Sequence, residues 1–281
     1  MACASVTSFG SYLDDSTGNF FTNPKNRFSQ KCTDIGFLDK ILKAADPVFD
    51  FAEVIAESNG ASADTIKGIV KGRNLAKAGR DATAFFNIFQ GSIPALIQNV
   101  KNTCALIEGL WNAKVVSLTK GEPQHNETAM TSKEKWASLG EQVGKGVGVA
   151  SFIAGFGICR PIGTFEKYIS RDIDSTASKI GKAFPTMMMV NHIGGVVGSS
   201  CGLVFQELAY RRAMAEEEAS VAQIKAAYSK KMLDNGVALS QKVLELVNDI
   251  LLHTNTAAPA WARIPINLTI GALSITKEWI K

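Results

Sequence analysis

Gly146–Cys159 reads GVGVASFIAGFGIC and Ala183–Gln206 reads AFPTMMMVNHIGGVVGSSCGLVFQ, and neither contains Asp, Glu, Lys or Arg. The second segment is 24 residues long. As a helix it measures about 36 Å, enough for a hydrocarbon core of roughly 30 Å. The first is only 14 residues, the length of a buried helix or an incomplete span. Glycines recur every fourth residue in both regions: Gly140, Gly144 and Gly148, then Gly194, Gly198 and Gly202. On helices this spacing clears one face of side chains, so two backbones can approach closely. The pattern predicts a glycine-faced helical hairpin in a membrane.

The flanks fit that reading. Lys145, Arg160, Arg211 and Arg212 stand beside the apolar stretches, where long cations reach back toward a membrane surface. The spacer between the segments carries basic residues of its own, so charge asymmetry does not set an orientation. Asn191-His192 is the one polar interruption of the second segment. In lipid its side chains are expected to face the partner helix and hydrogen-bond there, because unpaired polar groups in hydrocarbon are costly.

Outward from the hairpin, helical patterns fill the chain and no strand-like alternation occurs. Ile35, Leu38, Leu42 and Ala45 share a helical face, and Asp46-Pro47 reads as the start of a second helix ending near Ser58. Ser62 caps a third toward Phe89, weakened by Gly68, Gly72 and Gly79 unless close packing compensates. Gln90-Gly91-Ser92 reads as a break before Pro94 opens an amphipathic helix from Leu96 to Leu118. That helix faces either a core or a membrane surface. Thr131 and Glu134 form a capping-box pattern leading into the first apolar segment, which Arg160-Pro161 should end. Beyond the second segment, Met214, Val221, Ile224 and Tyr228 suggest a short seam, and Asp234-Asn235-Gly236 a turn. Val243, Leu244, Val247, Ile250 and Leu251 form a broad apolar face, and Ile264 to Ile280 closes the chain. The expected fold is an all-α, multi-helix bundle. Its expected divisions are a disordered N-terminus over 1–33, a helical region over 34–119, a loop over 120–131, the hairpin with its charged spacer over 132–212, and a C-terminal helical region over 213–281.

Composition narrows function mainly by exclusion. At 46% hydrophobic and a mean hydropathy of +0.06, the 281-residue chain lies between soluble domains and polytopic membrane proteins. Its net charge of +4 comes without a dense basic run, which argues against nucleic acid as partner. Five cysteines, an odd count without a C-x-x-C pair, read as free thiols in a reducing compartment. His125, His192 and His253 are scattered, so no metal site or cofactor is expected. Gly144-Lys145-Gly146-Val147-Gly148 lies mid-helix with no strand before it, unlike a phosphate-binding loop. The first 13 residues carry no charge. They suit a disordered terminus or a type III secretion signal better than a Sec signal, which needs a basic start and an unbroken apolar core.

Several short strings then combine. Phe20-Phe21-Thr22 with Pro24 and Asn26, Phe156-Gly157 with Arg160-Pro161-Ile162, and Asn191-His192 with Val196-Val197-Gly198 follow one another in order. In that order and spacing they resemble the chlamydial inclusion membrane proteins, over roughly Phe20 to Gly198. The resemblance implies a type III secreted, non-enzymatic effector in the membrane of the vacuole around the bacteria. Its termini would face the host cytosol, and its partners would be membrane lipids and an unidentified host protein. The glycine faces favour close pairing, within one chain or with a second copy of it. That family typically joins two adjacent spans by a tight turn, whereas here 23 residues separate the apolar segments. The alternative is a soluble or peripheral all-α bundle that self-assembles or shapes lipid surfaces through amphipathic helices.

Overall fold

The Thr131 hydroxyl accepts the Glu134 N–H at 3.3 Å, and the Glu134 carboxylate accepts the Thr131 N–H at 2.6 Å, so the expected capping box opens the first arm of the hairpin. The computed structural model describes residues 35–119, 130–165, 176–216, 221–253 and 260–280. The N-terminal stretch 1–33, the loop from 120 to 129, the spacer's middle and the loop at Thr256 to Pro259 lie outside the described residues. So do the side chains of 110–119.

Among the described residues the chain is all-α. The helices are α1 Ile35–Ser58, α2 Ala63–Asn87, α3 Ile93–Thr119, α4 Ser132–Phe152, α5 Arg160–Phe165, α6 Thr176–Lys182, α7 Phe184–Glu216, α8 Val221–His253 and α9 Ala260–Ile280. Wide π turns at Ile88–Ser92 and Ile153–Cys159 join α2 to α3 and α4 to α5. Neighbours follow the order α2, α1, α9, α8, α7, α4, α3, and the two π turns touch each other across the bundle. The ring closes around Ala84, Ile88 and Phe156. Two stretches, Ser132–Phe165 and Thr176–Ala215, are long and apolar enough to cross a membrane by length and composition.

The glycines let these two arms touch backbone to backbone. A Cβ at Gly144 would lie 2.5 Å from the Gly198 nitrogen, one at Gly194 would lie 2.6 Å from the Gly148 nitrogen, and one at Gly148 would lie 3.1 Å from the Asn191 carbonyl oxygen. At Gly144 and Gly194 these distances are shorter than real Cβ contacts, so only glycine fits, while at Gly148 the neighbouring backbone would have to give by a few tenths of an ångström. The ladder continues past the apolar segments, since a Cβ at Gly163 would lie 2.9 Å from the Gly181 Cα. The flanks of the charged spacer are thus the far end of the same hairpin. Gly140 and Gly202 meet side chains instead of backbone: the Cys201 thiol, and the Glu141 and Asn235 heads, respectively.

Four local expectations give way to tertiary packing. Pro47 lies inside one continuous helix, α1, and does not open a new one. Leu42 and Phe49, on either side of it, press on Gly79 and Gly72 of the same helix α2, which holds both halves of α1 in line. Gln90-Gly91-Ser92 is no break but part of a π turn, anchored by Ile88 at 2% exposure. Arg160-Pro161 does not end the helix either. The preceding π turn routes the Arg160 N–H to the Gly155 carbonyl and so loosens the ladder where the proline ring would clash. Asp234-Asn235-Gly236 sits within α8, where buried Asn235 packs against Gly202.

Gly68 corrects another expectation, because nothing lies within 4 Å of where its Cβ would be. Gly72 and Gly79 are packed, but Gly68 only weakens α2. Gly68→Ala is therefore expected to stabilise the protein by about 0.5–1 kcal/mol. A lowered denaturation midpoint for this variant would refute the open space around it.

Candidate functional site

Midway along α7, Asn191 and His192 point to different neighbours. The Asn191 carbonyl and side-chain oxygens lie against Gly148 of the first arm, as the hairpin reading expects. His192 turns the other way, toward α8. Its Nδ1 lies 2.6 Å from Asp249 Oδ2 and its Nε2 lies 3.1 Å from Glu245 Oε2. Carboxylate oxygens on both ring nitrogens offer acceptors for both N–H groups of an imidazolium. The expectation that His192 faces its hairpin partner is corrected: its partners belong to α8.

Glu245 is the hub of this cluster and is 4% exposed. It accepts from Lys242 Nζ at 2.8 Å, from Gln241 Nε2 at 2.8 Å and from Lys43 Nζ of α1. Three basic side chains thus share one buried carboxylate, and their pairing offsets the cost of burying it. Asp39 adds contacts from α1, accepting from Lys40 at 3.1 Å and from Thr83 of α2 at 3.3 Å.

These groups line a cavity of about 570 Å³ at the centre of the helical ring. Its charged wall comes from α1, α2 and α8, and its apolar wall from Phe152, Phe156, Phe184 and Met188. Phe156 meets Phe184 edge-on with ring centroids 5.1 Å apart. Comparison with known proteins finds no family model, no curated protein and no solved structure that matches the chain. Geometry therefore carries the functional reading.

The four flanking cations are engaged with carboxylates. Arg160 donates to Asp81 at 2.9 Å and lies over the Phe184 ring, 5.2 Å from its centroid. Arg212 reaches Glu134 at 2.9 Å, Arg211 reaches Glu207 at 2.7 Å, and Lys145 reaches Glu141. Cys159 is buried, Cys201 partly so, Cys104 is exposed, and all three are free thiols. Among the described residues no group of His, Cys, Asp and Glu is placed to hold a metal ion.

Sequence reasoning missed Lys43, Lys242, Glu245 and Asp249. The signal was present: Gln241, Lys242, Glu245, Asn248 and Asp249 recur at three- and four-residue spacing opposite the apolar face of α8. That apolar face draws attention as the inward one, but Val243, Val247 and Ile250 are exposed.

Proposed function

We propose that the chain is a non-enzymatic membrane protein, embedded as a helical bundle with apolar sides toward lipid and polar groups within. The observation that carries this reading is the inverted orientation of α1 and α8. Asp39, Gln241 and Glu245 are buried, while Phe51 and Val54 of α1 and Val243 and Ile250 of α8 are 40–48% exposed. A water-soluble helix faces the other way. In lipid, charged side chains turn inward and pair, and apolar surface turns outward. Contiguous exposed apolar surface otherwise marks an interface.

Trp136, Val143, Val147 and Ile158 of the first arm, with Ile193, Val197 and Val204 of the second, extend the same outer surface. Membrane lipid is the partner this surface fits. The resemblance to inclusion membrane proteins would locate that bilayer at a pathogen-containing vacuole, reached by type III secretion. There the chain would act as an effector that presents helices to a host protein.

Alkaline-carbonate extraction of membranes holding the full chain tests the embedding. Retention in the pellet is expected, with a lipid-soluble photoreactive probe labelling the α8 peptide that carries Val243 and Val247. Release to the supernatant would overturn the reading. A defined oligomer in that fraction would assign the apolar faces to contacts between copies.

A further inference from the structure

We propose that the central cavity binds a single-chain anionic amphiphile: an acyl or alkyl chain with a carboxylate or phosphate head. The charges around it set the sign of the head. Glu245 is already shared among Lys43, Lys242 and His192, and Asp249 accepts from His192. Asp39 pairs with Lys40, Asp50 with Arg73 at 2.8 Å and Asp46 with Lys77 at 3.3 Å. Arg80, half-buried on the lining, has no carboxylate partner among the described residues. Its guanidinium offers the planar donor fork that matches carboxylate and phosphate oxygens.

The shape of the lining supplies the tail. Arg80 and Ala84 lie one turn apart on the same wall, and Ala84 leads into the buried cluster with Ile88 and Phe156. Arg80 and Ile88 are eight residues apart in sequence, about 12 Å along a helix. Phe152, Phe184 and Met188 flank the apolar end. The volume of about 570 Å³ falls within the range of about 300–1,000 Å³ for small-molecule sites. A neutral amphiphile would leave the donors of Arg80 unmatched, and an inorganic anion would leave the aromatic wall unused. A cationic head would find the lining carboxylates already paired and would leave Arg80 without an anion.

This inference does not require the hairpin to cross a membrane, because the cavity lies between helices of the bundle. The test titrates dodecanoate, labelled with ¹³C at its carboxyl, into the full chain, in phosphatidylcholine nanodiscs if carbonate leaves it in the pellet and in buffer if carbonate releases it, with empty nanodiscs or buffer as reference. A bound carboxyl resonance should appear, distinct from the partitioned one and saturating at one per chain. Dodecyl phosphate should displace it, and whichever of the two binds more tightly identifies the head group. Dodecanol and inorganic phosphate should be at least ten-fold weaker. Arg80→Gln, with helicity and melting checked, should weaken dodecanoate ten-fold or more. The proposal fails if no bound resonance forms or if Arg80→Gln binds as tightly. It also fails if dodecanol competes equally, which would mean a plain apolar void, or if phosphate alone does, which would mean a plain anion site. The dodecanol comparison needs no variant, so the proposal stays testable even if Arg80→Gln folds poorly.

Discussion

Gly144→Leu is expected to force the two arms of the hairpin apart, lowering stability by about 3 kcal/mol, the upper end of overpacking costs. Even the first added carbon would sit 2.5 Å from the Gly198 nitrogen and 2.8 Å from its Cα. Backbone cannot step aside as a side-chain tip can. Gly198→Leu should act alike, since its Cβ would lie 2.9 Å from the Lys145 nitrogen. Gly236→Ala is the control, because nothing lies within 4 Å of it. Denaturation midpoints and protease resistance of α4 and α7 report the outcome. Unchanged values for Gly144→Leu would mean the arms do not meet through their glycines.

Removing the charge of Glu245 is the second large effect. Glu245→Gln leaves Lys43, Lys242 and His192 without their shared carboxylate, and losing one member of a buried ionic cluster costs about 3–5 kcal/mol. Thermal melts of wild type and variant are the measurement, and an unchanged melting temperature would remove Glu245 from the account.

The two arms were legible in the sequence because their signal is chemical as well as periodic: no charge, and glycine at every fourth position. The capping box at Thr131 was legible for a similar reason, since cap and partner lie three residues apart. Pro47, Gly91 and Asn235 misled because contacts with helices distant in sequence override a local breaker, and no local pattern records those contacts. Pro161 misled for a local reason, since the π turn before it removes the clash. The central site was hidden differently. The period of α8 was visible, but a period does not say which face is inward. Assigning the apolar stripe to the core presumes water outside. Once His192 of α7 is seen between Glu245 and Asp249, the polar stripe is the inner one.

A glycine ladder also behaves as a track with evenly spaced stops. Sliding α7 by four residues, about 6 Å, would bring Gly194 opposite Gly144 and Gly198 opposite Gly140, again small residue against small residue. Where Gly144 and Gly148 meet Gly194 and Gly198 the contact is mainly backbone on backbone, which does little to select one stop over the next. Selection falls to pairs that a slide would break: Arg212 with Glu134 near one end, and His192 with its two carboxylates midway. Close approach and alignment are thus divided between different residues. Glycines bring the helices together, and ion pairs choose where they stop.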